Sequence, residues 1–188
     1  PKSLILNQTE MVSFYFDQKL KKLESNNNND LNQKRAIIQT KVEYAFGILM
    51  EKGDMLVNDD YSKALKYYSK ANQLFLDAEN SSKGLLSDRY PTFNKWLKDE
   101  NRILFTKNDI IDLYWLAAAI GGTIQSSRGS NPFLLINLPQ IGKLLSVAIQ
   151  LDPQWGNGKL YSAMMSYTMA RPDLSGKTFN DTLNLYYN

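Results

Sequence analysis

Apolar positions recur every three or four places in one segment after another along this chain, the spacing of helices that each bury one face. Leu4 to Leu23 is apolar and aromatic with a basic end at Lys19, Lys21 and Lys22, and the asparagine-rich "ESNNNND" then breaks the pattern. A second helix is predicted from about Leu31 to Met55, with Ile37, Ile38, Val42, Ala45, Phe46 and Leu49 on one side. "NDDY" supplies an N-cap for a third, Tyr61 to Leu76, whose face carries Ala64, Leu65, Tyr68, Ala71 and Phe75. Residues 80 to 107 are less regular, and Pro91 suits the first turn of a short helix ending near Lys98. "KND" and "SNP" introduce two more helices, Pro139 starts another that reaches Asp152, and Trp155 to Ala170 follows. "RPDLSG" is a loop before a last helix near Lys177.

No run alternates apolar and polar residues as a strand would, so the expected fold is all-α. Short turns between successive helices predict antiparallel neighbours. Within "YSKALKYYSKA", Ala64, Tyr68 and Ala71 have the small, aromatic, small spacing of a tetratricopeptide repeat. Ile141, Leu145, Ala148 and Pro153 repeat it, and Thr182 with Tyr186 begin a third copy that stops short. The expected architecture is one domain, residues 1–188, of stacked antiparallel helical hairpins, an α-solenoid with an incomplete C-terminal repeat.

"DLYWLAAAIGGTIQSS" places Ala117, Ala118, Gly121 and Gly122 together, and these are read as the face where two helix backbones approach closely. A phosphate loop does not fit, because no "GxxxxGK[ST]" follows and no strand precedes. No stretch reaches the roughly 18 uninterrupted apolar residues of a membrane span.

Composition narrows the chemistry. With 43% hydrophobic residues the chain can bury a core without staples, and it has no cysteine to form one. A formal charge of +3 with both signs interleaved is no footprint for nucleic acid. Histidine is absent too, which removes imidazole catalysis and leaves tight transition-metal sites without their usual ligands. Asp109 with Asp112, and Asp59 with Asp60, lie near helix N-termini and read as helix-end charges rather than catalytic pairs. Arg128 and Lys177 read as solvated charges. A non-enzyme without a cofactor is expected. The aromatics exceed what a small stack obviously needs, so a subset is expected to line a groove for an apolar ligand or a partner segment.

"YAFGILMEKGDML", "DYSKALKYYSKANQLF", then "LYW" before an alanine-rich helix, "LP", "LDPQWGNGKLY" and "RPDLSG" together resemble the T component of TRAP transporters, the TatT family, over about residues 36 to 180. The chain departs from that family at Gly158 to Tyr161, "GKLY" where Gly-Ala-Leu/Ile-His is common, and at Ser175–Gly176 where paired glycines are usual. The resemblance implies a periplasmic protein of helical repeats, lipid-anchored in its full-length precursor. It further implies docking to the solute-binding P subunit, passage of hydrophobic ligands through an internal pore, and a homo-oligomer, a trimer. For an apolar small molecule, Tyr114 and Trp115 are the first candidate lining residues, with Tyr44 and Phe46 next. The competing reading is a general tetratricopeptide scaffold holding a protein or peptide partner in the cell envelope.

Overall fold

The computed structural model describes residues 2–26, 30–98 and 102–171, with side chains from residue 10 onward. The described residues are helical almost throughout and contain no strand, so the fold is all-α. The predicted final helix, the "RPDLSG" loop beyond Arg171 and the third repeat copy lie outside the described residues.

Helix α1 spans Lys2–Ser25 and α2 spans Leu31–Tyr44. Asp30 caps α2 by accepting the backbone N–H of Gln33 at 2.7 Å. The second predicted helix is continuous as far as Leu56, but Ala45–Met50 winds as a π-helix before α3, Glu51–Leu56, restores the α register. Helix α4, Tyr61–Arg89, opens with Asp60 accepting from the N–H of Lys63 at 3.0 Å. It runs well past the predicted end at Leu76. Ala78, Ser82, Leu85 and Leu86 keep a buried face at helical spacing, and no helix-breaking proline appears before Pro91.

After α5, Phe93–Leu97, the chain makes a 3-10 turn at Lys107–Asp109 and enters α6, Ile110–Ser126. The cap here is a capping box in which Asp109 of "KND" pairs with Thr106 just before it. Pro132–Asn137 is a 3-10 segment, introduced by Asn131 accepting the N–H of Phe133 at 3.2 Å, and α7 follows at Leu138–Leu151 with Pro139 in its first turn. Helix α8 is Lys159–Met169. It starts four residues later than predicted because Gly156, Asn157 and Gly158 adopt positive φ, which the right-handed helix cannot accommodate.

The described residues cluster into two compact units, one within Pro1–Ser82 and Gly122–Phe133, the other within Lys83–Gly121 and Leu134–Asn188. In the first, α1 packs on α2 and on the π segment; in the second, α7 packs on α8. Both repeat-like patterns face inward, with Ala64, Tyr68 and Ala71 buried in one unit and Ile141, Leu145 and Ala148 in the other. No run of about 18 uninterrupted apolar residues occurs, as expected; Pro132–Leu151 is apolar enough on average to pass for a span by length and composition, and α7 buries Ile141, Leu144, Leu145 and Ala148.

The expected small-residue face is half confirmed and shifted by one position. A Cβ added to Gly122 would come within 2.6 Å of Cγ of Phe75, so only glycine admits that ring. Gly121 faces Ile141 at an ordinary 3.7 Å, Ala118 is half-buried, and Ala119 takes its place in the core. Two further glycines receive rings in the same way: Gly53 meets Tyr68, and Gly142 meets Tyr167. Gly84, in contrast, has nothing within 4 Å of an added Cβ.

In urea denaturation, Gly122→Ala should destabilise the fold by about 1–3 kcal/mol, the cost of overpacking a filled contact. Gly84→Ala should stabilise it by about 0.5–1 kcal/mol through helix propensity alone. Equal effects from the two variants would contradict the assignment of Gly122 as a backbone contact.

Candidate functional site

In the first unit an aromatic and lysine cluster forms where α1 covers the end of α2. Tyr44 is 1% exposed, its ring stacked on Phe16 with centroids 5.1 Å apart. Lys70 donates to the Tyr44 hydroxyl at 3.0 Å and pairs with Asp17 at 3.1 Å. Burial works against the Lys70 charge, but the bonds to Tyr44 and Asp17 outweigh it and raise its pKa. Two residues on, Phe46 is half-buried with its ring 4.5 Å from that of Phe75. It sits in the π segment, whose wider turn changes which side chains face the core; such turns recur at functional sites.

Lys52 is the polar oddity of this unit. It is 2% exposed, its ammonium donates to the Ser13 hydroxyl at 3.1 Å and lies 5.3 Å from the centre of the Tyr67 ring. Burial lowers its pKa, and the neighbouring charges of Lys70 and Lys63 add to that against the opposing pull of Glu10.

In the second unit Tyr114 and Trp115 are both half-buried and meet edge to face, 5.0 Å between centroids. Trp155 closes on Tyr114 at 5.2 Å, held there at the start of the positive-φ turn that precedes α8. The sequence placed a helix start at Trp155 and gave no sign of its pairing with Tyr114, because the two positions lie 41 residues apart. A separate ring cluster of Tyr90, Phe93, Trp96 and Phe105 is largely core, with the Lys143 ammonium over Trp96 and bonded to its carbonyl.

Thus the four residues expected to line a ligand site occur as two sets, Tyr44 and Phe46 in one unit, Tyr114 and Trp115 in the other. Of these, Phe46, Tyr114 and Trp115 are half-buried, whereas Tyr44 supports its neighbours from inside.

The acidic residues act structurally. Asp109 accepts from the backbone N–H and hydroxyl of Thr106 and from Tyr90 at 2.7 Å, and pairs with Arg89 at 2.8 Å. Burial alone would raise its pKa, but these bonds and the Arg89 charge hold it below the ordinary aspartate value. The same guanidinium binds Asp112. Asp109 therefore caps the helix, as its position implied, and also fixes Arg89, which sequence spacing did not indicate. Arg128 is less solvated than expected: its guanidinium stacks 4.7 Å from the Tyr68 ring centre and pairs with Asp54 at 3.5 Å. Among the described residues no group of three or more His, Cys, Asp or Glu side chains is gathered to hold a metal ion.

Residues 10–185 match the family model described as TRAP transporter T-component. No curated protein matches the chain.

Two phenols should report on this architecture at high pH. Tyr68 donates to Asp54 at 2.6 Å and Tyr90 to Asp109 at 2.7 Å; burial first, and then the carboxylate partner, pushes each up to about 12. An unfolded tyrosine ionises near 10, so the unfolded chain gives up these protons first. Their contribution to stability is therefore complete below about pH 10 and is lost as pH rises toward about 12. Denaturation midpoints across this window should fall steeply, and less steeply in Tyr68→Phe and Tyr90→Phe. An unchanged slope in both variants would contradict the assignment.

Proposed function

The chain belongs to the TRAP transporter T-component family, accessory proteins of an envelope transport system, and from that premise we propose that it is a non-catalytic, periplasmic partner of the solute-binding P subunit. It binds or relays an apolar ligand on its partly exposed aromatic rings. The family match over residues 10–185 carries this reading. Lipid anchoring of the precursor, tetratricopeptide-like stacking of the hairpins within a single domain, and assembly as a trimer belong to the same proposal.

The rings give the ligand half of the reading its physical basis. Trp115 and Trp155 each pack on Tyr114, and none of the three is fully buried. Such a group offers a large apolar area with little conformational freedom to lose on binding. Phe46 offers a smaller surface against Phe75, beside Gly47, where the space beyond the backbone is open. Tyr44 holds Phe16 and Lys70 behind it. No paired acid and base is needed for such a role, consistent with Asp109 and Asp112 being committed to Arg89.

The test is binding of an apolar fluorescent probe, 1-anilinonaphthalene-8-sulfonate, to the parent chain and to Tyr114→Ala, Trp115→Ala and Phe46→Ala. Each half-buried ring should cost about 1–2 kcal/mol of stability when truncated. Tyr114→Ala and Trp115→Ala should in addition weaken the probe about 10-fold while the proteins remain folded at the assay temperature. Parent-like affinity in both folded variants, or unfolding without a separable binding defect, reassigns these rings to the core and removes the ligand half of the reading.

A further inference from the structure

Helix α1 is committed on one side and exposed on the other. Its inward residues are Ser13, which accepts from Lys52, Phe16 against Tyr44, Asp17 paired with Lys70, and the buried Leu20. By the 3.6-residue period the opposite side carries Met11, Phe14, Tyr15, Gln18, Lys21 and Lys22, and all six are exposed. Met11 is 75% exposed, Phe14 66% and Tyr15 60%, a contiguous apolar turn of a kind that isolated surface residues do not make.

The order along this face is informative. The apolar turn comes first, and Lys21 and Lys22 stand about 10 Å further along the axis. Neither lysine makes an ion pair among the described residues. Asp17 and Glu24 are engaged with Lys70 and Lys41, which leaves Glu10, one turn before Phe14, as the acid bordering the face. The cores of protein interfaces are depleted of lysine, whereas a bilayer surface accepts apolar and aromatic groups at the acyl boundary and ammonium groups among its phosphates.

We propose that the outward face of α1 is a lipid-surface contact, in which Met11, Phe14 and Tyr15 enter the boundary of an anionic bilayer and Lys21 and Lys22 engage its phosphates. This goes beyond the accessory role proposed above and does not depend on it. The inward bonds from Ser13, Phe16 and Asp17 fix the rotation of α1, so the face is presented by the folded protein without rearrangement.

Vesicle flotation of the full chain tests it, with phosphatidylcholine alone and with phosphatidylcholine containing about one-third phosphatidylglycerol. The chain should float with the anionic vesicles and much less with the neutral ones. Lys21→Gln with Lys22→Gln should weaken anionic binding about 30-fold, the product of roughly fivefold for each lysine. Phe14→Ser with Tyr15→Ser should abolish flotation on both, and Leu104→Ser, which alters an apolar residue 91% exposed in the other unit, should leave it unchanged. All these positions are solvent-exposed, so thermal unfolding should stay near that of the parent. Three results overturn the proposal: no flotation on either vesicle, flotation unaffected by the α1 substitutions, or self-association of the parent that the Phe14/Tyr15 variant abolishes. The last would assign the face to a second copy of the chain.

Discussion

A ring pressed onto a glycine backbone is the contact on which the helix packing depends. Phe75 lies on Gly122, Tyr68 on Gly53 and Tyr167 on Gly142, and in each case a methyl group would occupy the space of the ring. A glycine inside a helix costs about 1 kcal/mol relative to alanine, and burying an aromatic ring returns about 1.5–3 kcal/mol, so the exchange favours the close approach. Because each ring needs the space that its glycine leaves, these contacts fix the register of one segment against its neighbour. The polar bonds beside them follow from that register: Asn72 reaches the Thr123 carbonyl at 3.1 Å and the Ser126 hydroxyl at 2.9 Å one turn from the Phe75 contact.

The buried charges are arranged around this apolar frame in two different ways. Arg89 pairs with both Asp109 and Asp112 where a helix start is buried, and the capping box satisfies the backbone there. Lys52 has no such partner among the described residues, and a hydroxyl and an aromatic face are its neighbours. Its lowered pKa means that stability rises with pH between its folded value and the ordinary lysine value, the opposite of the contribution from Tyr68 and Tyr90.

The helical pattern and the buried spacing of Ala64, Tyr68 and Ala71 were legible in the sequence, because period and small-residue placement are local signals. Gly122 was legible as a contact for the same reason. The length of α4 was obscured because the pattern after Leu76 is less regular, although its buried face continues through Ala78, Ser82, Leu85 and Leu86. The π turn has no local signature, since it answers to packing around Ala45, Leu49 and Met50. The pairing of Trp155 with Tyr114, the Arg89 network and the solitary burial of Lys52 each join segments distant along the chain. For the candidate site, grouping was not readable, because the four aromatic candidates divide between two units. The family assignment rests on ordered motifs and reaches beyond what spacing alone supports.

The proposed docking to a TRAP solute-binding protein is tested by titration calorimetry of the purified chain against the P subunit from the same organism. Saturable heat with a defined stoichiometry, changed by the presence of the solute, is the predicted result. A flat titration with both proteins verified as folded would contradict the account and favour a scaffold for some other envelope partner.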